Sequence, residues 1–154
     1  MAKAQFTQND VRKHLDNELK KIDRAIILRM RSLGERCVNH AREHGSYIDR
    51  TGNLRSSVGY VLLRHGKILD EIFESTGKGE EGVKEGKAFA RMLADQYPTG
   101  YVLIVVAGMN YAAAVQSLGT NVLSNTEIFA KENFPRLISE LKKSINDIKK
   151  PTFN

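Results

Sequence analysis

Five consecutive residues, His40-Ala41-Arg42-Glu43-His44, spell H-x-x-E-H. At that spacing two imidazoles on successive helical turns can share a metal while the carboxylate acts as general base. The chemistry also needs a third ligand and a cleft, and the chain offers neither in a recognisable place. The histidines therefore read as the last turns of a helix, where the dipole favours positive charge. Gly77-Lys78-Gly79-Glu80-Glu81-Gly82 matches G-x-G-x-x-G, which in a dinucleotide site lays pyrophosphate on the N-terminus of the next helix. Glu80 and Glu81 would repel that phosphate, and no βαβ unit with an acidic ribose ligand follows. The segment from Thr76 to Gly86 reads instead as a mobile glycine-rich loop. Cys37, the one cysteine, sits among apolar helix positions and reads as core. No catalytic, cofactor-binding or metal residue is assigned, no cofactor is expected, and the chain is expected not to be an enzyme.

The elements that would position these residues follow from periodicity. Val11, Leu15, Leu19, Ile22, Ile26, Met30, Leu33, Cys37 and Ala41 recur every three or four residues, one face of a long helix from Thr7 to His44. Thr7 or Asn9 can cap its start, Gly45 can end it, and Gly34 is a place for a bend. Its opposite face mixes Arg12, Lys13, Lys20, Lys21, Arg24, Arg31 and Arg42 with Asp16, Asp23, Glu35 and Glu43. Such mixing reads as a solvated face more readily than as a nucleic-acid surface. Ser56 to Arg64 and Lys67 to Glu74 then read as strands joined across His65-Gly66, a hairpin signal. A short helix is expected from Lys84 to Gln96. Tyr101 to Gly108 is apolar on both faces and so is expected to be the central strand. Tyr111 to Ser117 continues as extended chain, and Leu137, Leu141, Ile145 and Ile148 share one face of a last helix containing Pro135.

Composition sets the class. The 154 residues carry 24 Lys+Arg against 18 Asp+Glu, a formal charge of +6, and 41% are hydrophobic. That balance belongs to a globular chain of one domain with a real core. The longest apolar run, Tyr101 to Ala107, is far short of the roughly 20 residues a membrane helix needs. With no apolar stretch behind the N-terminal charges and no cysteine pair, the expectation is a protein of the reducing cytosol, away from membranes. The fold expected is α+β: a long N-terminal helix and a C-terminal helix on one face of an antiparallel sheet of three or four strands. Residues 1–45 form the first helix, 46–121 the sheet with the glycine-rich loop and short helix, 122–150 the last helix, and 151–154 a frayed tail.

Two segments bear on function. Thr51-Gly52-Asn53-Leu54-Arg55-Ser56-Ser57 leads into the first strand, and Tyr111-Ala112-Ala113-Ala114-Val115-Gln116-Ser117-Leu118-Gly119-Thr120 precedes the last helix. On the residues alone these are fold-forming. Gly52 and Asn53 suit a sharp reversal, Arg55 can pin that corner to carbonyls or a carboxylate, and Gly119-Thr120 turns the chain into the helix. In order, the long helix, TGNLR-S, hairpin, hydrophobic strand, YA-x-x-V-x-x-GT and final helix resemble the tail-completion (head–tail joining, neck) proteins of long-tailed phages and prophages. Gln116 stands where that family usually has glutamate, and Val122-Leu123-Ser124 where prolines are frequent. The resemblance implies a structural virion protein, made in the host cytoplasm. It would form a ring of its own copies between a head connector or head-closure protein and a tail terminator or tail-tube protein. It also implies that strand edges and the loop carrying Gly77, Lys78, Gly79 and Gly82 are adhesive, and that basic residues touch viral DNA non-specifically. The competing class is a small basic nucleic-acid-binding protein, suggested by the pI near 9.5.

Overall fold

The apolar stripe builds one uninterrupted helix, α1 (Gln8–Glu43), in a computed structural model that describes residues 6–75, 77–109 and 122–149. Thr7 caps it reciprocally: its hydroxyl accepts the Asp10 N–H (3.2 Å) while the Asp10 carboxylate accepts the Thr7 N–H (2.9 Å). Gly34 does not break the helix. It lets α1 lie directly on the Tyr60 ring, which an added Cβ would approach to 2.9 Å.

A short helix, α2 (Asn53–Ser56), leads into β1 (Val58–Arg64), followed by β2 (Lys67–Ile72), α3 (Glu80–Ala94), β3 (Tyr101–Ala107) and α4 (Ser124–Lys149). The strands form an antiparallel sheet in the order β2-β1-β3. The α+β class expected from the sequence is the observed one. The hairpin turns at His65 (φ 49°) and Gly66 (φ 76°), both left-handed as a two-residue turn of matching twist requires. A register shift opposite Leu62 and Leu63 accounts for the imperfect alternation of β2.

Three expectations are corrected. The central strand is β1, with β3 at the edge among the described residues. The sheet is covered on both faces, not one: Val58, Tyr60 and Leu62 pack against Val38 and Ala41 of α1, whereas Val61 packs with Phe73, Ala90 and Val106 under α3. Strand β1 therefore loses water on both sides, and its side chains from Val58 to Leu63 are buried. Apolarity on both faces of β3 reports the same two layers and does not make it central. Finally, helix α3 begins at Glu80, so residues 80–86 are helical and not part of an open loop.

Helix α4 runs antiparallel to α1, through Pro135. His40 meets Thr126, Arg36 meets Asn133 (2.7 Å), and Arg29 meets Glu140 (2.9 Å) and Ser144 (3.3 Å). Leu33, Cys37 and Leu137 are buried between these helices. Asp23 marks where the body ends: its carboxylate takes Arg64 (2.5 Å) and the Tyr101 hydroxyl from the end of the sheet. Beyond it α1 continues alone among the described residues. Its 36 residues span about 54 Å, against about 39 Å for α4 and about 23 Å for β1. The stripe is not covered along its whole length: Leu19 is 62% exposed, and Val11 and Leu15 are exposed with it.

Candidate functional site

The two glycine-containing motifs, which begin 26 residues apart at Thr51 and Gly77, form one corner. Gly52 enters α2 with φ 77°, and Gly79 enters α3 with φ 96°; neither N-cap has a side chain to offer. Asn53 supplies what Gly79 lacks. Its Oδ1 accepts the N–H of Gly82, the third residue of α3 (3.2 Å), and its Nδ2 donates to Glu81 (3.4 Å). A side chain from α2 thus caps α3 from outside the helix. The N–H that a bound phosphate would use is already engaged.

Close approach explains the glycines. An added Cβ at Gly79 would come within 2.4 Å of the Gly52 carbonyl oxygen, at Gly82 within 2.0 Å of the Asn53 carbonyl oxygen, and at Gly86 within 2.6 Å of the Ser57 carbonyl oxygen. Gly82 and Gly86, with Ala90 and Ala94, form a ladder of small buried residues down one side of α3. Gly108, just past β3, touches Gly86 and donates its N–H to the Ser57 carbonyl (3.2 Å).

The remaining motif residues hold the same corner. Thr51 Oγ1 accepts the Asn53 N–H (3.2 Å), Leu54 is buried against Tyr47 and Val122, and Ser57 Oγ donates to the Leu54 carbonyl (2.7 Å). Ser56 Oγ donates to the Lys78 carbonyl (3.0 Å), and Lys78 Nζ reaches the Arg50 carbonyl (2.8 Å). Gly77 is exposed with open space around it. Tyr111, Ala112, Gly119 and Thr120 lie outside the described residues.

Arg55 does not pin the corner as expected. Its guanidinium lies over the Tyr47 ring, 5.7 Å from the centroid, and among the described residues it is the backbone N–H that meets a carboxylate, that of Asp49 (2.9 Å). Arg42 does the pinning, donating to the carbonyls of Arg55 (3.3 Å), Val58 (2.9 Å) and Glu74 (3.0 Å). Burial pulls its guanidinium down from the ordinary arginine range, with Glu74 opposing. Sequence reasoning placed Arg42 on the solvated face of α1. The only local hint was a basic residue in the last helical turn.

The H-x-x-E-H rings are used for packing. His40 stacks on His44 (4.3 Å between centroids) and on Phe129 of α4 (4.5 Å), and its Nδ1 meets Thr126 Oγ1 (3.1 Å). Burial, then the neighbouring His44, push the His40 pKa down, with Glu43 acting in the opposite direction. Burial pushes the Cys37 thiol up, away from the thiolate a nucleophile needs. Among the described residues no group of three His, Cys, Asp or Glu side chains is placed to hold a metal ion. Nor is any described helix long and apolar enough to cross a membrane. Part of the basic face of α1 is engaged within the chain: Arg31 pairs with Asp70 (2.6 Å) and Lys21 with Glu18 (3.1 Å).

Two apolar surfaces stand out among the described residues. One is the exposed stripe of α1 before Asp23. The other is a groove of about 750 Å³ bounded by α1, β3 and α4, with Met30, Leu33, Leu103, Val105, Phe134 and Leu137 on its walls. Comparison with known protein families, curated proteins and solved structures finds no match to the chain.

Proposed function

We propose that this chain is a structural virion protein of the neck or tail-completion type. Copies of it would form a ring joining the head connector or head-closure protein to the tail terminator or tail-tube protein. The observation that carries the reading is the division of labour among its residues. Gly52, Asn53, Leu54, Ser57, Gly79 and Gly82 hold the α2–α3 corner together, while large apolar side chains stand exposed on a projecting helix. An apolar patch of that kind is expected where other chains dock. The order of long helix, TGNLR corner, hairpin, apolar strand and final helix also agrees with the resemblance. In this reading DNA contact is a non-specific property of the remaining surface lysines and arginines.

Electron microscopy of particles assembled without this protein tests the reading. Finished heads and finished tails that stay apart are the expected result. Joined, infectious particles would overturn it. Salt-sensitive duplex binding by the purified protein, together with joined particles in its absence, would favour the nucleic-acid-binding class instead.

A further inference from the structure

In sequence the cations of α1 are diluted by acids; in the fold most of those acids are engaged. Between Gln8 and Arg24 the helix carries Asp10, Asp16, Glu18 and Asp23. The Asp10 carboxylate accepts the N–H and hydroxyl of Thr7 at the cap, Glu18 holds Lys21 (3.1 Å), and Asp23 holds Arg64 and the Tyr101 hydroxyl. Asp16 is left. Arg12, Lys13, Lys20 and Arg24 are exposed and make no ion pair among the described residues. Residues outside the described ranges supply no counter-charge either, since none of them is Asp or Glu.

At about 100° per residue, Asn9, Lys13, Asn17, Lys20 and Arg24 fall within about 80° of one another on the helix. That face holds no acid, Asp16 standing at its edge, and it is turned away from Val11, Leu15 and Leu19. We infer that this face of α1 lies along the phosphate backbone of duplex DNA, with Lys13, Lys20 and Arg24 on phosphates and Asn9 and Asn17 donating beside them. The inference rests on the neck reading above and names the surface that meets the DNA. The middle of the chain offers no rival: residues 44–126 carry 8 Lys+Arg against 8 Asp+Glu, so the whole excess of +6 lies outside them. An anionic membrane fits less well. A helix in a bilayer interface buries its apolar face and keeps cations at the margins of that face, where their stems reach the headgroups. Here the cations are on the far side, and burying Val11, Leu15 and Leu19 would hold them away from the lipid.

Two variants of equal charge test the assignment by fluorescence anisotropy of a mixed-sequence duplex between about 50 and 200 mM salt. Lys13→Gln, Lys20→Gln and Arg24→Gln together remove the face. Lys84→Gln, Lys142→Gln and Lys143→Gln together remove the same charge at exposed positions off α1. Each phosphate contact contributes about 0.9 to the slope of log K against log salt, so the first variant is expected to flatten it by about 3 and the second to leave it as in wild type. Should the first triple variant fail to fold, its three single substitutions carry the test, each flattening the slope by about 1. Equal flattening by both triple variants would make binding a property of net charge and overturn the inference, as would a wild type that ignores the duplex at about 50 mM salt. Binding to phosphatidylcholine–phosphatidylglycerol vesicles that the first variant loses, with its duplex binding unchanged, would assign the face to a membrane instead. If the first variant alone loses slope but heads and tails join without the protein, the face stands and the neck function falls. If joining needs the protein while both variants bind DNA alike, the reverse holds.

Discussion

Gly82 shows how position can reverse the ordinary sense of a substitution. In an exposed helix interior, alanine for glycine gains about 1 kcal/mol. Here the added methyl would sit 2.0 Å from the Asn53 carbonyl oxygen, which is backbone and cannot swing aside. Forcing it in separates α3 from α2 and takes the Asn53 cap with it. Overpacking costs about 1–3 kcal/mol, and loss of a cap costs about 1 kcal/mol more. Gly82→Ala is therefore expected to destabilise the protein by about 1–3 kcal/mol net, read as a lower urea midpoint. An unchanged or higher midpoint would show that the two helices are not in backbone contact. Asn53 was legible as a turn former, but its partner 29 residues away was not, because a cap supplied from another element has no spacing rule.

At the scale of the element, α1 is a single helix in two environments. Its stripe keeps one period from Val11 to Ala41, yet Leu33 is 6% exposed and Leu19 is 62% exposed. A truncation should therefore cost very different amounts along the same face. Leu33→Ala leaves a cavity among Cys37 and Leu137 and is expected to cost about 2–5 kcal/mol. Leu19→Ala changes only surface and should stay within about 0.5 kcal/mol. Thermal unfolding of the two variants, at a concentration where the free subunit dominates, checks the contrast. Equal losses would mean that the projecting end is packed onto the body. Periodicity established the face but not where its cover stops, since that depends on the lengths of α4 and the sheet.

At the scale of the whole molecule, stability depends on a joint between α1 and α4 that contains a titratable ring. His40 is held between His44 and Phe129, with Arg36 and Glu43 as the nearby charges on its own helix and Thr126 facing it from α4. Its pKa is lowered in the fold from 6.5, so below that value the unfolded chain binds the extra proton first. Stability from this group is fully present above pH 6.5 and is lost as the pH falls through that value toward the folded one. The urea midpoint is expected to drop between pH 7.5 and 5, and His40→Gln should flatten the drop. An equal slope in the variant would assign the pH dependence to other groups.

The sequence by itself determined the α+β class, the extent of α1 and the hairpin across His65-Gly66. These follow from local period and turn-forming residues, all carried by neighbours in the chain. Only the tertiary structure decided which strand is central, that the glycines of 79–86 serve close packing and not mobility, and that Arg42 rather than Arg55 ties the corner. It also decided which half of the α1 stripe is core and which half remains as surface. Each of these depends on what stands opposite a residue in space. A glycine that gives freedom and a glycine that gives room look the same until the neighbouring backbone is in place.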